Sequence, residues 1–299
     1  MKKFGLFTVM IVVFQWLSAQ NLKPYILAFE TTESISVTNS KIKANLEKNS
    51  LKVVGEYQPA NDNNRFIIVF TSKALINSVK NAGGLTGFAA TLRIGIIREN
   101  GKTIVSYTNP EYWGNAYFRE YYPNVVSTYS SIERSLKETM KSSGNFIGKE
   151  FGSEDGLTTK ELRKYHYMFG MPYFDDTEEL EEFDSHQEAI DKIDANLKKG
   201  VPNVKLVYKI EIPDNNLVLY GLALSGENGE AKFLPIIDKG DPKHTAFLPY
   251  ELLIIDNEVH MLHGRFRIAL SFPDLTMGTF SKIMSTPGDI EDLLEQLVE

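Results

Sequence analysis

An internal repeat constrains the fold of this chain more than any other feature of its sequence. Residues 41–48 (KIKANLEK) and residues 192–199 (KIDANLKK) agree at six of eight positions, and 151 positions separate them. Tyr57 and Tyr208 keep the same separation. Repetition at a fixed interval is typical of duplicated structural units. We therefore interpret the chain as two related, diverged copies of one unit.

Each copy contains a predicted β-hairpin. In the first copy, LRIGII and TIVSY flank Asn100-Gly101, a dipeptide that tolerates the positive φ angles of a type I′ turn. In the second copy, ELLII and EVHML flank Asp256-Asn257. Strands and amphipathic helices occur in both copies, and we expect the α+β class.

Polar residues mark the starts of the predicted helices. Thr38 is the predicted N-cap of the first helix, because a side-chain oxygen there can accept from the free N–H groups of the first turn. Ser185 and Glu188 have the spacing of a capping box for the corresponding helix of the second copy. Thr286 is the predicted cap of the last helix.

The first 19 residues have the organisation of a signal peptide. Lys2 and Lys3 precede an apolar run over residues 4–17, and Leu17-Ser18-Ala19 offers small residues for cleavage. The run is shorter than the roughly 20 apolar residues that a membrane-spanning helix requires. We expect an exported protein, periplasmic or extracellular, that begins near Gln20 and has no stable membrane anchor.

The repeat, the leader and the composition between the copies divide the chain into four parts. The leader is 1–19, the first α+β repeat is 20–142, and the second repeat is 165–299. Residues 143–164 are rich in Gly, Ser and charged residues and are interpreted as a linker.

Composition excludes several kinds of chemistry. The chain has no Cys, which removes thiol catalysis, disulfides and thiolate metal sites. Its net charge of −7, without a basic stripe, argues against nucleic acid as a partner. No GxSxG motif or phosphate-binding loop occurs, and we expect no cofactor.

His260 and His263 are the closest histidine pair, but on a strand they would point to opposite faces, so we expect no metal site there.

Several short motifs resemble those of the domain of unknown function family 302. They are VSYTNPEY at 105–112 in the first copy, and FLPYELLI at 247–254 and SFPDL at 271–275 in the second. The resemblance covers roughly residues 25–142 and 165–299. It implies that each unit is a curved antiparallel sheet packed on helices, similar to the TATA-binding-protein fold. It implies no activity, because the family has none assigned.

The segment between the copies is unusually aromatic. We expect Tyr165, Tyr167 and Phe169 to form the first strand of the second sheet, because flexible linkers have few aromatic residues. The acidic run at 178–184 is interpreted as a solvated helix start.

Two aromatic clusters supply the candidate site. Their rings can pack the two units against each other, or they can line a pocket between the units, with His166 as its polar group. The leading interpretation is a non-catalytic binding protein for a small apolar ligand or a protein partner at the domain junction. The alternative is a periplasmic hydrolase or isomerase that uses His166 with Asp175 or Asp176. Self-association through an open sheet edge is a third possibility. The candidate ligand-binding residues are Tyr112, Trp113, Tyr165, His166, Tyr167 and Tyr173.

Overall fold

A computed structural model describes residues 21–299 and shows an α+β architecture with two antiparallel sheets and helices. The predicted signal peptide at 1–19 lies outside the described residues. Among residues 21–299, no helix has the length and apolar character needed to cross a membrane.

The N-terminal part of the described chain forms a six-stranded sheet with helices packed on it. The strands are β1 Tyr25–Thr31, β2 Lys52–Tyr57, β3 Arg65–Thr71, β4 Leu92–Glu99, β5 Lys102–Thr108 and β6 Lys149–Phe151. The helices are α1 Ile35–Lys48, α2 Lys73–Ala82, α3 Pro110–Phe118 and α4 Val126–Ser143. The strand order is β2-β3-β4-β5-β1-β6, and all neighbouring strands are antiparallel.

The C-terminal part forms a five-stranded sheet. Its strands are β7 Thr177–Glu182, β8 Val204–Ile212, β9 Leu217–Leu224, β10 Tyr250–Ile255 and β11 Glu258–Leu262. Its helices are α6 His186–Lys199, α7 Glu230–Ile237, α8 Gly264–Ser271, α9 Met277–Phe280 and α10 Thr286–Glu295. The short helix α5 Thr159–Arg163 precedes this sheet and packs against α3. The strand order is β7-β11-β10-β9-β8, again antiparallel throughout.

Strand order is the same in the two sheets. The order β2-β3-β4-β5-β1 corresponds strand by strand to β8-β9-β10-β11-β7, and β6 is an additional edge strand of the first sheet. Helices α1 and α6 occupy the same place in the chain order, after the first strand of each sheet.

Local chemistry explains most element boundaries. Asn100 and Gly101 both have positive φ and join β4 to β5, as the sequence predicts. The predicted turn between β10 and β11 is also confirmed, with positive φ at Asp256. Helix α6 is capped by Ser185, whose Oγ accepts from the backbone N of Glu188 at 3.2 Å.

The predicted cap of the first helix is wrong. Ser34, not Thr38, caps α1, and its Oγ accepts from the backbone N of Val37 at 3.3 Å. Thr38 is buried one turn inside the helix. At the last helix, Ser285 occupies the cap position and Thr286 is the first helical residue.

The predicted first strand of the second sheet is also wrong. Tyr165, Tyr167 and Phe169 lie in irregular structure, and Phe169 is 100% exposed. The acidic run, interpreted as a solvated helix start, lies mostly in β7. Because β7 pairs with β11, it is the first strand of the second sheet. An edge strand with an exposed face accepts acidic side chains, which blunt edge-to-edge association.

Residues 143–164, predicted as a linker, contain two regular elements. Strand β6 pairs with β1 and extends the first sheet. Helix α5 follows, and it begins with a capping box between Thr158 and Glu161. This segment is therefore attached to the first sheet along part of its length.

The two sheets meet across a broad junction. Residues 84–89 pack against β9 and β10, while residues 245–247 pack against β4 and β5. Gly87 permits the close contact between residues 84–89 and β10, since a Cβ there would lie 2.5 Å from Cδ1 of Leu253. Strands β2 and β8 also touch: a Cβ on Gly55 would lie 2.5 Å from the carbonyl oxygen of Val207.

A buried ionic cluster lies within this junction. Glu251 forms ion pairs with Arg93 and with Arg267, and all three side chains are almost inaccessible to solvent. Tyr208 also donates its hydroxyl to Glu251. Burial alone would raise the pKa of Glu251, but the two guanidinium groups outweigh it and hold the pKa below its usual value.

Candidate functional site

A cleft of about 480 Å³ opens where the first sheet's edge meets the second half of the chain. One wall is β6 and the residues that follow it; the opposite wall is the end of α7 with its following loop. The loop after α8 closes one end. Clefts of this size between structural units are common ligand sites. We call it the His244 cleft, after the histidine in its wall.

His244 is held by hydrogen bonds at both its backbone and its ring. Its backbone N donates to Oδ1 of Asp238 at 2.7 Å. Asp238 is itself fixed by an ion pair with Arg65 from the first sheet. The ring Nδ1 lies 3.2 Å from the carbonyl oxygen of Ser271. A carbonyl oxygen can only accept, so Nδ1 carries the proton and Nε2 is the acceptor nitrogen of a neutral ring.

Aromatic rings surround the imidazole. Phe272 stacks on it with ring centroids 4.7 Å apart. Tyr25 and Phe151, both from the first sheet, lie at 5.0 Å and 5.8 Å. Burial among these rings lowers the pKa of His244, and it outweighs the opposing influence of Asp238. Burial therefore favours the neutral form of the imidazole over the charged form.

The Nε2 atom of His244, a residue of the cleft wall, has no partner among the described residues. A Cβ built on Gly240, which also lines the cleft, would lie 3.5 Å from Nε2, an ordinary van der Waals distance. His244 thus presents a lone pair to whatever enters the cleft.

Hydrogen bonds clamp the mouth of the cleft. Asp274 accepts from Ser153 Oγ at 2.9 Å and from the backbone N of Glu154 at 2.6 Å. Glu150 accepts from the backbone N of Lys23 at 2.9 Å. The two Asp274 contacts fix the segment after β6 to the loop after α8, and the Glu150 contact fixes β6 to the residues before β1, so the cleft is preformed.

Two predicted site residues lie in the core and not on a cleft wall. Tyr112 is fully buried and donates its hydroxyl to the carbonyl oxygen of Leu270 at 2.8 Å. Trp113 is also buried, and its indole N–H donates to the carbonyl oxygen of Pro24 at 2.8 Å. Both polar groups are satisfied within the protein, which suits a packing role.

The other four predicted residues gather around a second cleft, of about 640 Å³. Tyr165, His166 and Tyr167 line it, and Tyr173 stacks on His166 at 4.5 Å. The Tyr167 hydroxyl donates to the carbonyl oxygen of Leu275 at 2.6 Å. None of the six predicted residues lines the His244 cleft.

His166 is not joined to the carboxylates proposed to act with it. Asp175 forms an ion pair with Arg119 at 3.0 Å. Asp176 accepts from the backbone N of Tyr173 at 2.8 Å. No hydrogen bond connects His166 with either group in the part of the chain that the structure describes.

The remaining histidines are dispersed. His260 contacts Glu258 at 3.0 Å, and His263 contacts Glu178 at 3.3 Å. Over residues 21–299, no three His, Asp or Glu side chains come together as a metal site.

No protein-family model, no curated protein and no solved structure matches the chain. The resemblance of residues 105–112, 247–254 and 271–275 to the domain of unknown function family 302 therefore stays a prediction.

Local sequence carries little signal for His244. Its ring partners Tyr25, Phe151 and Phe272 come from distant parts of the chain. The one local indication is the Gly240-Asp241-Pro242 turn before it, which marks a loop where functional residues are common.

Proposed function

We propose that this chain is a non-catalytic binding protein that holds a small, largely apolar ligand in the His244 cleft. The observation that carries the proposal is a neutral, immobilised imidazole with an unpartnered Nε2 in a preformed cleft between the two halves. Ligand sites are typically apolar concavities with a few placed polar groups. The walls here supply Phe151, Phe272, Ile236, Ile237 and Leu275 as the apolar surface.

The enzyme alternative has weaker support. A general base is normally oriented by a second polar side chain, often a carboxylate. The ring of His244 is oriented by a backbone carbonyl, and both carboxylates near His166 have other partners. No carboxylate is hydrogen-bonded to the His244 ring among the described residues, which favours recognition over proton transfer as its role.

We also propose that the two halves descend from one duplicated unit, with the TATA-binding-protein-like fold that the family resemblance implies. The repeated helix motif and the equal strand order support this proposal. Under this proposal, the His244 cleft is a feature of the junction that the duplication created.

Methyl NMR of the mature chain tests the binding function. Indole and phenol serve as probes, and the methyl groups of Ile236, Ile237 and Leu275 report on the His244 cleft. We expect saturable shifts there, while Leu157 in the second cleft stays unchanged. An absence of saturable shifts, or shifts confined to Leu157, would contradict the proposal.

A matched pair of variants localises the site. Ile236→Trp places a large ring in the His244 cleft, and Leu157→Trp does the same in the second cleft. Both positions are partly exposed, so neither change fills the core. We expect the first variant to lose probe binding and the second to retain it. The reverse pattern would assign the function to the second cleft.

A further inference from the structure

We propose that the His244 cleft selects ligands that carry an O–H or N–H donor, which binds Nε2 of His244, on a flat apolar body. This inference rests on the proposed function and defines the chemical class of its ligand. It makes His244 the residue that determines specificity.

The proton arrangement of the ring is the first step of the argument. The Ser271 carbonyl accepts from two donors, the Tyr25 hydroxyl at 3.1 Å and Nδ1 of His244 at 3.2 Å. Because the proton resides on Nδ1, Nε2 of the neutral ring can only accept. A ligand that offers another acceptor to Nε2 meets lone-pair repulsion.

The second step is the immobility of the ring. Phe272 stacks on the imidazole, and Tyr25 and Phe151 pack around it. A flip of the ring would bring a carbon atom to the Ser271 carbonyl and would forfeit its hydrogen bond. The direction of the Nε2 lone pair is therefore set before a ligand arrives, which reduces the entropy cost of binding.

The third step is the character of the cleft around Nε2. Phe272 and Phe151 form the wall nearest the imidazole. Of the three lysines in the lining, Lys149 and Lys239 are exposed, and the half-buried Lys23 donates its Nζ to the carbonyl oxygen of Glu154. A ligand that covers Nε2 without donating to it removes water from this acceptor and leaves it without a hydrogen bond. An unsatisfied buried acceptor costs enough to discriminate strongly between ligands.

Matched probe pairs test the inference. Phenol is compared with anisole, and indole with 1-methylindole, because each pair differs by a methyl group in place of the donor hydrogen. We expect the donor member of each pair to bind about tenfold more tightly, measured from the methyl shifts of Ile236 and Leu275. On wild-type protein, the Nε2 nitrogen resonance of His244 should shift with phenol and not with anisole.

A variant pair attributes the preference to the imidazole. His244→Phe keeps a ring in the aromatic cluster and removes Nε2, so phenol and anisole should then bind with affinities within about twofold of each other. His166→Phe makes the same change in the second cleft and should retain the preference. The Nε2 resonance needs no variant, so the inference is testable even where His244→Phe fails to fold.

The outcomes separate this inference from the proposed function. Equal binding of both members of each pair to wild type would overturn the donor rule and leave the cleft as a ligand site. A tenfold preference that persists in His244→Phe would also overturn it. Failure of all four probes to shift the cleft methyls would overturn the binding function itself.

Discussion

Glu251 on β10 and Arg93 on β4 form an ion pair across the junction of the two sheets, although 158 positions separate them in the chain. Arg267 binds the other carboxylate oxygen. The cluster therefore connects the two halves at a point from which water is excluded. Loss of one charged side chain of this cluster should therefore lower the stability of the fold more than loss of an exposed ion pair does.

Replacement of Glu251 tests this connection. Glu251→Gln keeps the shape of the side chain but leaves two buried guanidinium groups without a counter-charge. We expect a loss of about 3–5 kcal/mol in the free energy of unfolding, measured by urea denaturation. The control Glu138→Gln breaks an exposed pair with Lys141 and should cost about 0.5 kcal/mol or less. Equal losses in the two variants would show that the junction cluster is not structural.

Glu230 should make stability depend on pH. Burial raises its pKa to about 7, although Tyr57 and two backbone N–H groups donate to it and oppose the rise. The folded protein binds this proton more tightly than the unfolded chain. Its stabilising contribution is therefore complete below the ordinary carboxyl pKa and is lost as pH rises through about 7.

The measurement compares wild type with Glu230→Gln by urea unfolding across this range. The stability of wild type relative to the variant should fall by the order of 3 kcal/mol between about pH 4 and pH 8. Groups common to both proteins cancel in this difference. A flat line for Glu230→Gln would contradict the assignment.

Gly55 should be intolerant of a side chain. A Cβ there would meet the backbone of β8, which cannot rotate away as a side chain can. We expect Gly55→Ala to cost about 1–3 kcal/mol in thermal or urea unfolding. Gly288 lies in helix α10, and a methyl group added there would meet nothing within 4 Å. The control Gly288→Ala should therefore leave stability unchanged or raise it by up to about 1 kcal/mol. A neutral Gly55→Ala would show that β2 and β8 do not pack as closely as described.

Two phenylalanines in one loop should respond differently to truncation. Phe174 is 4% exposed and packs against Tyr117 and Phe266, with ring centroids 5.4 Å and 5.8 Å away. Phe174→Ala should cost about 3–5 kcal/mol. Phe169 is wholly exposed, and Phe169→Ala should change stability by about 0.5 kcal/mol or less. Thermal unfolding of the two variants measures these losses of stability. A large loss in Phe169→Ala would contradict the prediction.

The residues of the His244 cleft are not predictable from the sequence. Aromatic composition draws attention to Tyr165, His166 and Tyr167 instead, and these line the second cleft. His244 was not singled out, because its significance depends on rings contributed by β1, by β6 and by the end of α8. Spacing along a chain does not encode such a cluster.

Local interactions determined what the sequence could establish by itself. Asn100-Gly101 specifies its turn through backbone conformations that few other residues tolerate, and the prediction needed no other part of the chain. Strand β7 illustrates the opposite case. Its acidic residues have no intrinsic strand preference, and only the hydrogen bonds offered by β11 make this segment a strand. The tertiary structure likewise decided which histidine faces a cleft, because burial and the choice of hydrogen-bond partner arise only when distant segments meet.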